Sequence, residues 1–178
     1  MATKATAFTC LRLIGIAGVV VSSLGQPAAA APNHLCIEGR SKVHTAATAA
    51  YRRKDYAAAF RHFKPQAHRG NAYAQMKLGI MYLRGQGVPQ DYWLAAKWTR
   101  AAAEQGNANA QCNLGFMYLD GICVPQDSVL AHMWFNLAAG AGHKDARAKR
   151  EIVAAWRVTS AELLEAQRLA ADWLAAHR

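Results

Sequence analysis

The strongest constraint in this 178-residue chain is an internal repeat of 36 residues that is present twice, at 71–106 and 107–142. The two copies align without a gap. Identical residues at equivalent positions include Gly79 and Gly115 and, further on, a Val-Pro-Gln-Asp run in each copy. A fixed period of this length is typical of proteins built from stacked, repeated units, so it limits the fold more than any shorter motif does.

Each copy predicts two helices joined by a turn. Apolar residues recur at helical spacing on both sides of a segment rich in glycine and proline, which is 84–90 in the first copy. Asp91 and Asp127 stand before the second apolar segment, where a carboxylate caps the first turn of a helix. Gly106 and Gly142 are predicted to end the second helices in the left-handed conformation. The repeat therefore predicts an all-α protein made of helix hairpins.

Two glycines interrupt the first helix of the copies at the same position. Glycine inside a helix costs about 1 kcal/mol relative to alanine, so Gly79 and Gly115 predict that two helix backbones approach closely. The small Ala95 and Ala131 would serve the same purpose on the second helices. A set of aromatic residues is predicted to fill the layer between hairpins rather than to line a ligand groove. These are Tyr82, Trp98, Tyr118 and Trp134.

The repeat resembles that of the Sel1-like proteins, a branch of the tetratricopeptide repeat superfamily. The shared motif is A-x-A-Q-x-x-L-G-x-x-Y-x-x-G-x-G-V-x-x-D followed by A-x-x-W, and it is carried by 72–98 and 108–134. The second copy departs from the motif at Cys123, which replaces the glycine found at Gly87 in the first copy. The conformation of the second loop is therefore left open. The resemblance implies an α-solenoid of stacked antiparallel hairpins, a right-handed superhelix that holds other proteins and has no catalytic residues.

Residues 1–30 have the pattern of a secretory signal peptide. Lys4 and Arg12 give a positive start, an apolar run follows, and the three alanines up to Ala30 predict cleavage after that residue. The alternative is a membrane anchor, but a run of about 12 residues is short of the ~20 that span a bilayer. The signal predicts a periplasmic or secreted protein with no integral membrane segment after cleavage. Residues 31–40 are predicted to be a flexible N-terminal segment.

The regions beside the two repeats are predicted to be terminal caps. Residues 41–70 resemble an ordinary tetratricopeptide hairpin with a tight turn, in which Pro65 should bend or shorten the second helix. Residues 143–178 keep the repeat pattern only weakly and predict two C-terminal capping helices. The second of these begins with a capping box formed by Thr159 and Glu162. Terminal repeats are expected to be atypical because their outer faces meet water.

The sequence contains none of the catalytic or phosphate-binding motifs that we searched for. There is no nucleophile elbow, zinc-protease helix or phosphate-binding loop, and the histidines are scattered, so we expect no catalytic residues, metal or cofactor. The net charge is +10, and would be +8 without residues 1–30. The basic clusters, such as 52–54, are interpreted mainly as solvated surface, with attraction to an anionic envelope component as the alternative. Nucleic acid is not expected, because a signal peptide takes the chain away from it.

A protein or peptide partner is therefore the expected ligand, with a non-catalytic scaffold or adaptor as the expected role. Two alternatives stay open. One is an envelope scaffold in polysaccharide export or cell-wall maintenance, which uses the same fold with a different client. The other is an enzyme, a β-lactamase-like protein or a cell-wall hydrolase, which the missing catalytic motifs disfavour.

Three cysteines remain after the predicted cleavage: Cys36, Cys112 and Cys123. An odd number leaves at least one thiol unpaired. Cys112 falls within a predicted helix and Cys123 in the turn beyond it. Seven helical residues alone would separate them by about 10 Å, whereas the Cα atoms of a disulfide lie within about 7 Å. These two cysteines are therefore predicted not to pair with each other.

The predicted partner site lies on the first helices of the two repeats, which line the concave surface in tetratricopeptide stacks. If Leu78 and Leu114 point into the core, ten residues face that surface, and six of them are aliphatic or aromatic. This predicts an exposed apolar groove for a peptide or an amphipathic helix. The alternative is that the helix 159–177 folds over the same face. The ten residues are Tyr73, Met76, Ile80, Leu83, Arg84, Asn109, Cys112, Phe116, Leu119 and Asp120.

Overall fold

The computed structural model of the chain describes residues 46–177, which form eight helices and contain no β-strand. The predicted signal peptide, 1–30, and the predicted flexible segment, 31–40, lie outside the described residues. The helices are α1 (Ala46–Arg52), α2 (Tyr56–His68), α3 (Ala72–Arg84), α4 (Tyr92–Glu104), α5 (Ala108–Asp120), α6 (Ser128–Gly140), α7 (Lys144–Trp156) and α8 (Ser160–Ala176).

Each helix packs mainly against the helices next to it in the chain. The two helices of each repeat form one pair, α3 with α4 and α5 with α6, and α4 then packs against α5 to join the repeats. Helices α1 and α2 extend the stack at one end, and α7 at the other. A stack in which every unit contacts its neighbours is an α-solenoid. The prediction of an all-α solenoid of helix hairpins is confirmed for this part of the chain.

The predicted helix ends of the repeats are confirmed. Asp91 and Asp127 each cap a second helix, and each carboxylate accepts a hydrogen bond from the backbone N–H three residues later, at 2.8 and 2.9 Å. Gly106 and Gly142 follow the second helices with φ of +78° and +86°. These are left-handed values that favour glycine. The two ends of α4 and α6 are therefore fixed by the residues that the pattern indicates.

Three further caps begin the first helices, and the sequence pattern did not reveal them. Asn71, Asn107 and His143 are spaced by 36 residues and precede α3, α5 and α7. Each side chain accepts a hydrogen bond from the backbone N–H three residues later, at 2.9, 3.1 and 3.3 Å respectively. The cap recurs at the same spacing in a region where the rest of the motif fades, so the repeat geometry extends to the start of α7.

Two repeated glutamines connect the helices through their side-chain amides. Gln75 and Gln111 donate from Nε2 to the backbone carbonyl eight residues earlier, at the end of the preceding helix, at 3.1 and 3.2 Å. Gln90 and Gln126, in the loops, donate to the carbonyl seven residues earlier, at 2.6 and 2.8 Å. Free carbonyls at helix ends need such partners. The polar residues of the motif therefore hold consecutive helices in register.

The close helix approach predicted from the glycines is confirmed in the first repeat and corrected in the second. A Cβ atom on Gly79 would lie 3.2 Å from the backbone oxygen of Ala95 in α4 and still closer to the Thr99 hydroxyl. A Cβ atom on Gly115 would instead lie 2.8 Å from the ring of Phe135. Phe135 stands where the first repeat has Thr99. At the second glycine the nearest neighbour is therefore an aromatic ring of α6, where the first repeat has a hydroxyl and backbone atoms of α4.

The second loop keeps the conformation of the first although it lacks a glycine. Cys123 has φ +66°, and its equivalent Gly87 has φ +74°. In the first loop the glycine is also needed for space, because a Cβ atom there would lie 2.5 Å from the backbone carbonyl of Tyr56. This settles the loop conformation that the sequence left open. It also places a non-glycine residue in a left-handed conformation that costs about 1–2 kcal/mol.

The terminal caps depart from the sequence predictions at two points. Helix α2 continues through Pro65 to His68, so the proline does not shorten it. The capping box at the start of α8 is confirmed, with Thr159 N–H donating to the Glu162 carboxylate at 2.7 Å. Helix α8 packs mainly against α6 rather than along α3 or α5, and the ring centroid of Trp173 lies 6.2 Å from that of Trp134. The alternative in which α8 covers the predicted groove is therefore wrong.

Candidate functional site

The candidate site is the first-helix face, which we define as the side of α3 and α5 that points away from α4 and α6. It is centred on Lys77 and Asn113, which occupy equivalent positions in the two repeats. Each lies two residues before the glycine that faces the second helix, which is about 200° around the helix axis. Both side chains therefore leave the helix on nearly the opposite side from Gly79 and Gly115. The face is flanked by Tyr73, Arg84, Asn109 and Asp120.

The ten predicted site residues differ in their exposure. Half of them are buried, four are partly buried, and only Asp120 is exposed. The expectation of an exposed apolar groove is therefore wrong, whereas partner binding at this face stays a prediction. The buried residues are Met76, Ile80, Leu83, Cys112 and Phe116. The partly buried residues are Tyr73, Arg84, Asn109 and Leu119.

The burial extends around the whole circumference of both helices. Residues 74–81 of α3 and 110–118 of α5 are buried without interruption. Each run is longer than two helical turns, so each helix is covered on every side. The five buried members belong to one hydrophobic core that also contains residues of α4, α6, α7 and α8. The candidate site therefore depends on the polar residues of this face, chiefly Lys77 and Asn113.

Lys77 carries a positive charge beneath this face. Its side chain is only 7% exposed, and its Nζ lies 4.7 Å from the ring centroid of Tyr51 and 5.3 Å from that of Tyr73. An ammonium over aromatic rings is stabilised by about 0.5–2 kcal/mol, with the larger value when water is excluded. The Tyr51 hydroxyl donates to Gln86 Oε1 at 2.8 Å, and burial raises its pKa. The phenol beside Lys77 is therefore neutral at pH 7.

Asn113 presents an unpaired amide at the equivalent position of the second repeat. Its side chain is 1% exposed, and within residues 46–177 neither Oδ1 nor Nδ2 has a hydrogen-bond partner. The Oδ1 atom of the neighbouring Asn109 is also unpaired there. A buried unpaired group of this kind costs about 1–3 kcal/mol. An amide offers one acceptor and one donor side, which matches the N–H and C=O of an extended peptide.

A second cation lies beside this face in the C-terminal direction. Nζ of Lys149, from α7, lies 5.4 Å from the ring centroid of Phe116. The same ring packs edge-to-face on Phe135, with centroids 5.1 Å apart. Sequence reasoning identified Phe116 and Asn109 but missed Lys77, Asn113 and Lys149. Lys77 and Asn113 could have been found in the sequence, because each is a polar residue at the same position of an otherwise apolar helix.

The two repeat cysteines have different states. Cys112 is buried and disulfide-bonded, and Cys123 is a free thiol whose pKa is raised by burial to about 11. The prediction that they do not pair with each other is confirmed. Over residues 46–177 no three His, Cys, Asp or Glu side chains come together as a metal site would require. No helix in that range is both long enough and apolar enough to cross a membrane.

The stacked hairpins and their caps define the class of protein as an α-solenoid repeat protein. The family model described as Sel1 repeat matches residues 72–107 and 108–143. The chain thus contains two Sel1 repeats, which together cover residues 72–143. Repeats of this kind generally mediate protein interaction, and the fold is typically a non-catalytic scaffold.

Two solved structures are similar to this chain. A protective antigen of uropathogenic Escherichia coli with an SLR fold is 32% identical, with a TM-score of 0.68 over 72% of this chain and 28% of that one. A Sel1 repeat protein from Oxalobacter formigenes is 42% identical, with a TM-score of 0.53 over 55% of this chain and 28% of that one. The matched region thus spans 28% of each neighbour. No curated protein sequence matches this chain significantly.

Proposed function

We propose that this protein is a scaffold that binds an extended segment of a partner protein along the first-helix face. The observation that supports this best is the amide of Asn113, which is buried and unpaired within the described residues. A peptide backbone that donates to Oδ1 and accepts from Nδ2 satisfies both atoms at once. In other complexes, main-chain hydrogen bonds to an extended peptide supply affinity and side-chain pockets supply specificity.

The charge of the site favours an acidic partner segment. Lys77 and Lys149 hold their ammonium groups over the rings of Tyr51 and Phe116, and Arg84 ends the same helix as Lys77. The chain as a whole carries a net charge of +10. Complementary charge accelerates association and excludes partners of the wrong sign. Glutamate or aspartate side chains, or a terminal carboxylate, would pair favourably with Lys149 and Arg84.

The site of action that we propose is the periplasm or the cell exterior, on the strength of the signal pattern in residues 1–30. An envelope scaffold for polysaccharide export or cell-wall maintenance would use the same face with a different client. A β-lactamase-like or cell-wall hydrolase activity is the alternative from another class. Of these, the scaffold follows most directly from the unpaired amide of Asn113 and the lysines on either side of it.

Peptide selection tests the proposed function. A random peptide phage library is panned on the full-length protein, both as purified and after reduction, and the dissociation constants of the selected peptides are measured by fluorescence anisotropy. Loss of two hydrogen bonds in Asn113→Leu should weaken binding about tenfold or more, since about 1.4 kcal/mol corresponds to a factor of ten. Lys77→Met should weaken acidic peptides in the same way.

The matched control is Lys97→Met. Lys97 also holds its Nζ over an aromatic ring, 5.2 Å from the centroid of Trp93, but it lies on the second helix α4. This substitution should leave peptide affinity unchanged. Peptides that bind Asn113→Leu as tightly as the wild type, or a library that yields no specific peptide in either redox state, would show that the first-helix face is not the binding site.

A further inference from the structure

We propose that a cleft between α5, the end of α6 and α8 binds a primary carboxamide, the group that ends a glutamine side chain. The cleft has a volume of about 310 Å³, and its lining includes Gln111, Leu137, Ala141 and Trp173. Ligand sites usually measure about 300–1,000 Å³, so this one suits a single side chain rather than a large ligand. The proposal does not involve the residues that define the first-helix face, and it stands independently of the proposed function.

The first repeat contains such a carboxamide at the equivalent place. Gln75 donates from Nε2 to the Ala67 carbonyl, and its Oε1 accepts a hydrogen bond from Nε2 of Gln105 at 2.5 Å. Gln105 also donates to the carbonyl of Ala101 at 3.2 Å. Both halves of the Gln75 amide are therefore paired, and the second of its partners is the side-chain amide of another glutamine.

The second repeat lacks that partner. Gln111 is the equivalent of Gln75 and keeps the bond to a backbone carbonyl, that of Ala103 at 3.2 Å. Ala141, however, stands where the first repeat has Gln105. Gln111 is only 2% exposed, and its Oε1 has no hydrogen-bond partner among residues 46–177. A buried acceptor without a donor is unfavourable. Since Gln111 and Ala141 both line the cleft, the cleft marks the place of the missing glutamine side chain.

A second unpaired group lines the same cleft. The Nε1 atom of Trp173 is buried and has no hydrogen-bond partner within the described part of the chain. The indole ring stacks on His177, with centroids 4.1 Å apart, and packs edge-to-face on Trp134 at 6.2 Å. These two contacts hold the ring in place. The cleft therefore offers a fixed indole donor in addition to the acceptor of Gln111.

The two unpaired atoms define the chemistry of the ligand. Gln111 Oε1 needs a hydrogen-bond donor, and Trp173 Nε1 can only donate, so it needs an acceptor. A primary carboxamide supplies both, its NH₂ group for Gln111 and its oxygen for Trp173. A carboxylate has no donor for Gln111, and an ammonium group has no acceptor for Trp173. A hydroxyl group meets both needs, but the group that the first repeat places against its glutamine is a carboxamide.

Nuclear magnetic resonance of the ¹⁵N-labelled full chain tests the site directly. The chain has five tryptophans, and Trp173→Phe identifies the indole N–H signal of Trp173. The probe is glutamine with an acetyl group at its N-terminus and a methylamide at its C-terminus, so that its side chain carries the single primary amide. The control probes are the methionine, glutamate and homoserine derivatives with the same end groups.

We expect the glutamine probe to shift the Trp173 signal downfield in a saturable way. Its dissociation constant should be at least tenfold lower than that of the methionine probe, because two hydrogen bonds are added. Uncapped glutamine that binds as tightly as the probe would identify a free amide as the ligand, and weaker binding would identify a glutamine within a peptide. Either result supports the carboxamide site. No shift, or equal binding of any control probe, overturns it.

Ala141→Gln restores the residue of the first repeat and provides the matched variant. The backbone permits this, because Ala141 has φ −79° and ψ 8°, and Gln105 has φ −84° and ψ 10°. The new side chain should occupy the cleft, weaken the glutamine probe at least tenfold and raise the midpoint of thermal unfolding. Ala141→Met, which fills the cleft without an amide, should also exclude the probe.

The control for the other face is Asn113→Leu, which should bind the glutamine probe as the wild type does. Loss of peptide binding at the first-helix face and loss of amide binding at this cleft are therefore separate results. Circular dichroism verifies that each variant is folded. An Ala141→Gln variant that is folded and still binds the probe with wild-type affinity overturns the placement of the carboxamide beside Gln111.

Discussion

Replacing Gly79 with alanine should destabilise the protein, although alanine is the better helix former. The added methyl group would overlap the Thr99 hydroxyl and lie 3.1–3.2 Å from two backbone atoms of α4. Alanine in a helix interior gains about 1 kcal/mol over glycine, whereas an overpacked contact costs about 1–3 kcal/mol. Because two of the three nearest atoms belong to the backbone, α4 itself must shift. We expect a net loss of about 1–2 kcal/mol in the free energy of unfolding.

Urea unfolding followed by circular dichroism measures this loss, and two further variants isolate its cause. Thr99→Ala removes the hydroxyl nearest to the new methyl group, so the cost of Gly79→Ala should fall in that background. Gly140→Ala is the control without a clash, since a Cβ atom at that position of α6 would meet no heavy atom within 4 Å. It should be neutral or stabilising by up to about 1 kcal/mol.

A Gly79→Ala variant as stable as the wild type would contradict the predicted clash. An equal cost of Gly79→Ala with and without Thr99 would also contradict it, because the clash would then not be its source. In either case the glycine would have been retained for a reason other than the approach of α3 and α4.

Three further predictions concern single positions and activity. Burial lowers the pKa of His143 below its usual 6.5, so the folded state loses stability as the pH falls through that value towards the folded pKa. His143→Asn, which copies the caps at Asn71 and Asn107, should lose less stability between pH 7 and pH 5 in thermal melts, and an unchanged slope would exclude the His143 cap as its source. Cys123→Gly should raise the free energy of unfolding by about 1 kcal/mol in urea titrations, because it relieves a side chain at φ +66°; a loss of stability would contradict this. Purified protein should hydrolyse a chromogenic β-lactam no faster than buffer does, and turnover that co-purifies with the protein would show an enzyme.

Some features of the fold that depend on local chemistry could be predicted from the sequence, although the equally local caps at Asn71, Asn107 and His143 were not. The caps at Asp91 and Asp127 and the box at Thr159 are decided by a side chain and a backbone group three residues apart, so the pattern alone identifies them. The turn at Cys123 could not be settled in this way. Its left-handed conformation is imposed by the loop on a residue that does not prefer it.

The candidate site was harder to predict because burial is not a local property. The pattern placed the predicted groove on α3 and α5, but it treated Met76, Ile80 and Phe116 as exposed, since nothing in their own helices shows what packs over them. The same limit applies to Gly115, where an identical residue in an identical motif has the ring of Phe135 as its nearest neighbour. A repeat fixes positions, and the residues that differ between its copies decide what those positions contact.

The junctions between the copies have a consequence for engineering. A Cβ atom on Gly106 or Gly142 would meet no heavy atom within 4 Å, and an N-terminal cap follows each of these glycines directly. A duplicate of residues 107–142 could therefore be inserted after Gly142, where the junction residue makes no side-chain contact. The inserted unit would follow a glycine and be followed by His143. Each inserted unit would lengthen the array by roughly 10 Å, the distance between packed helices, and would add one more copy of Asn113 to it. A graded series of such proteins would relate the number of binding positions to the length of peptide that they hold.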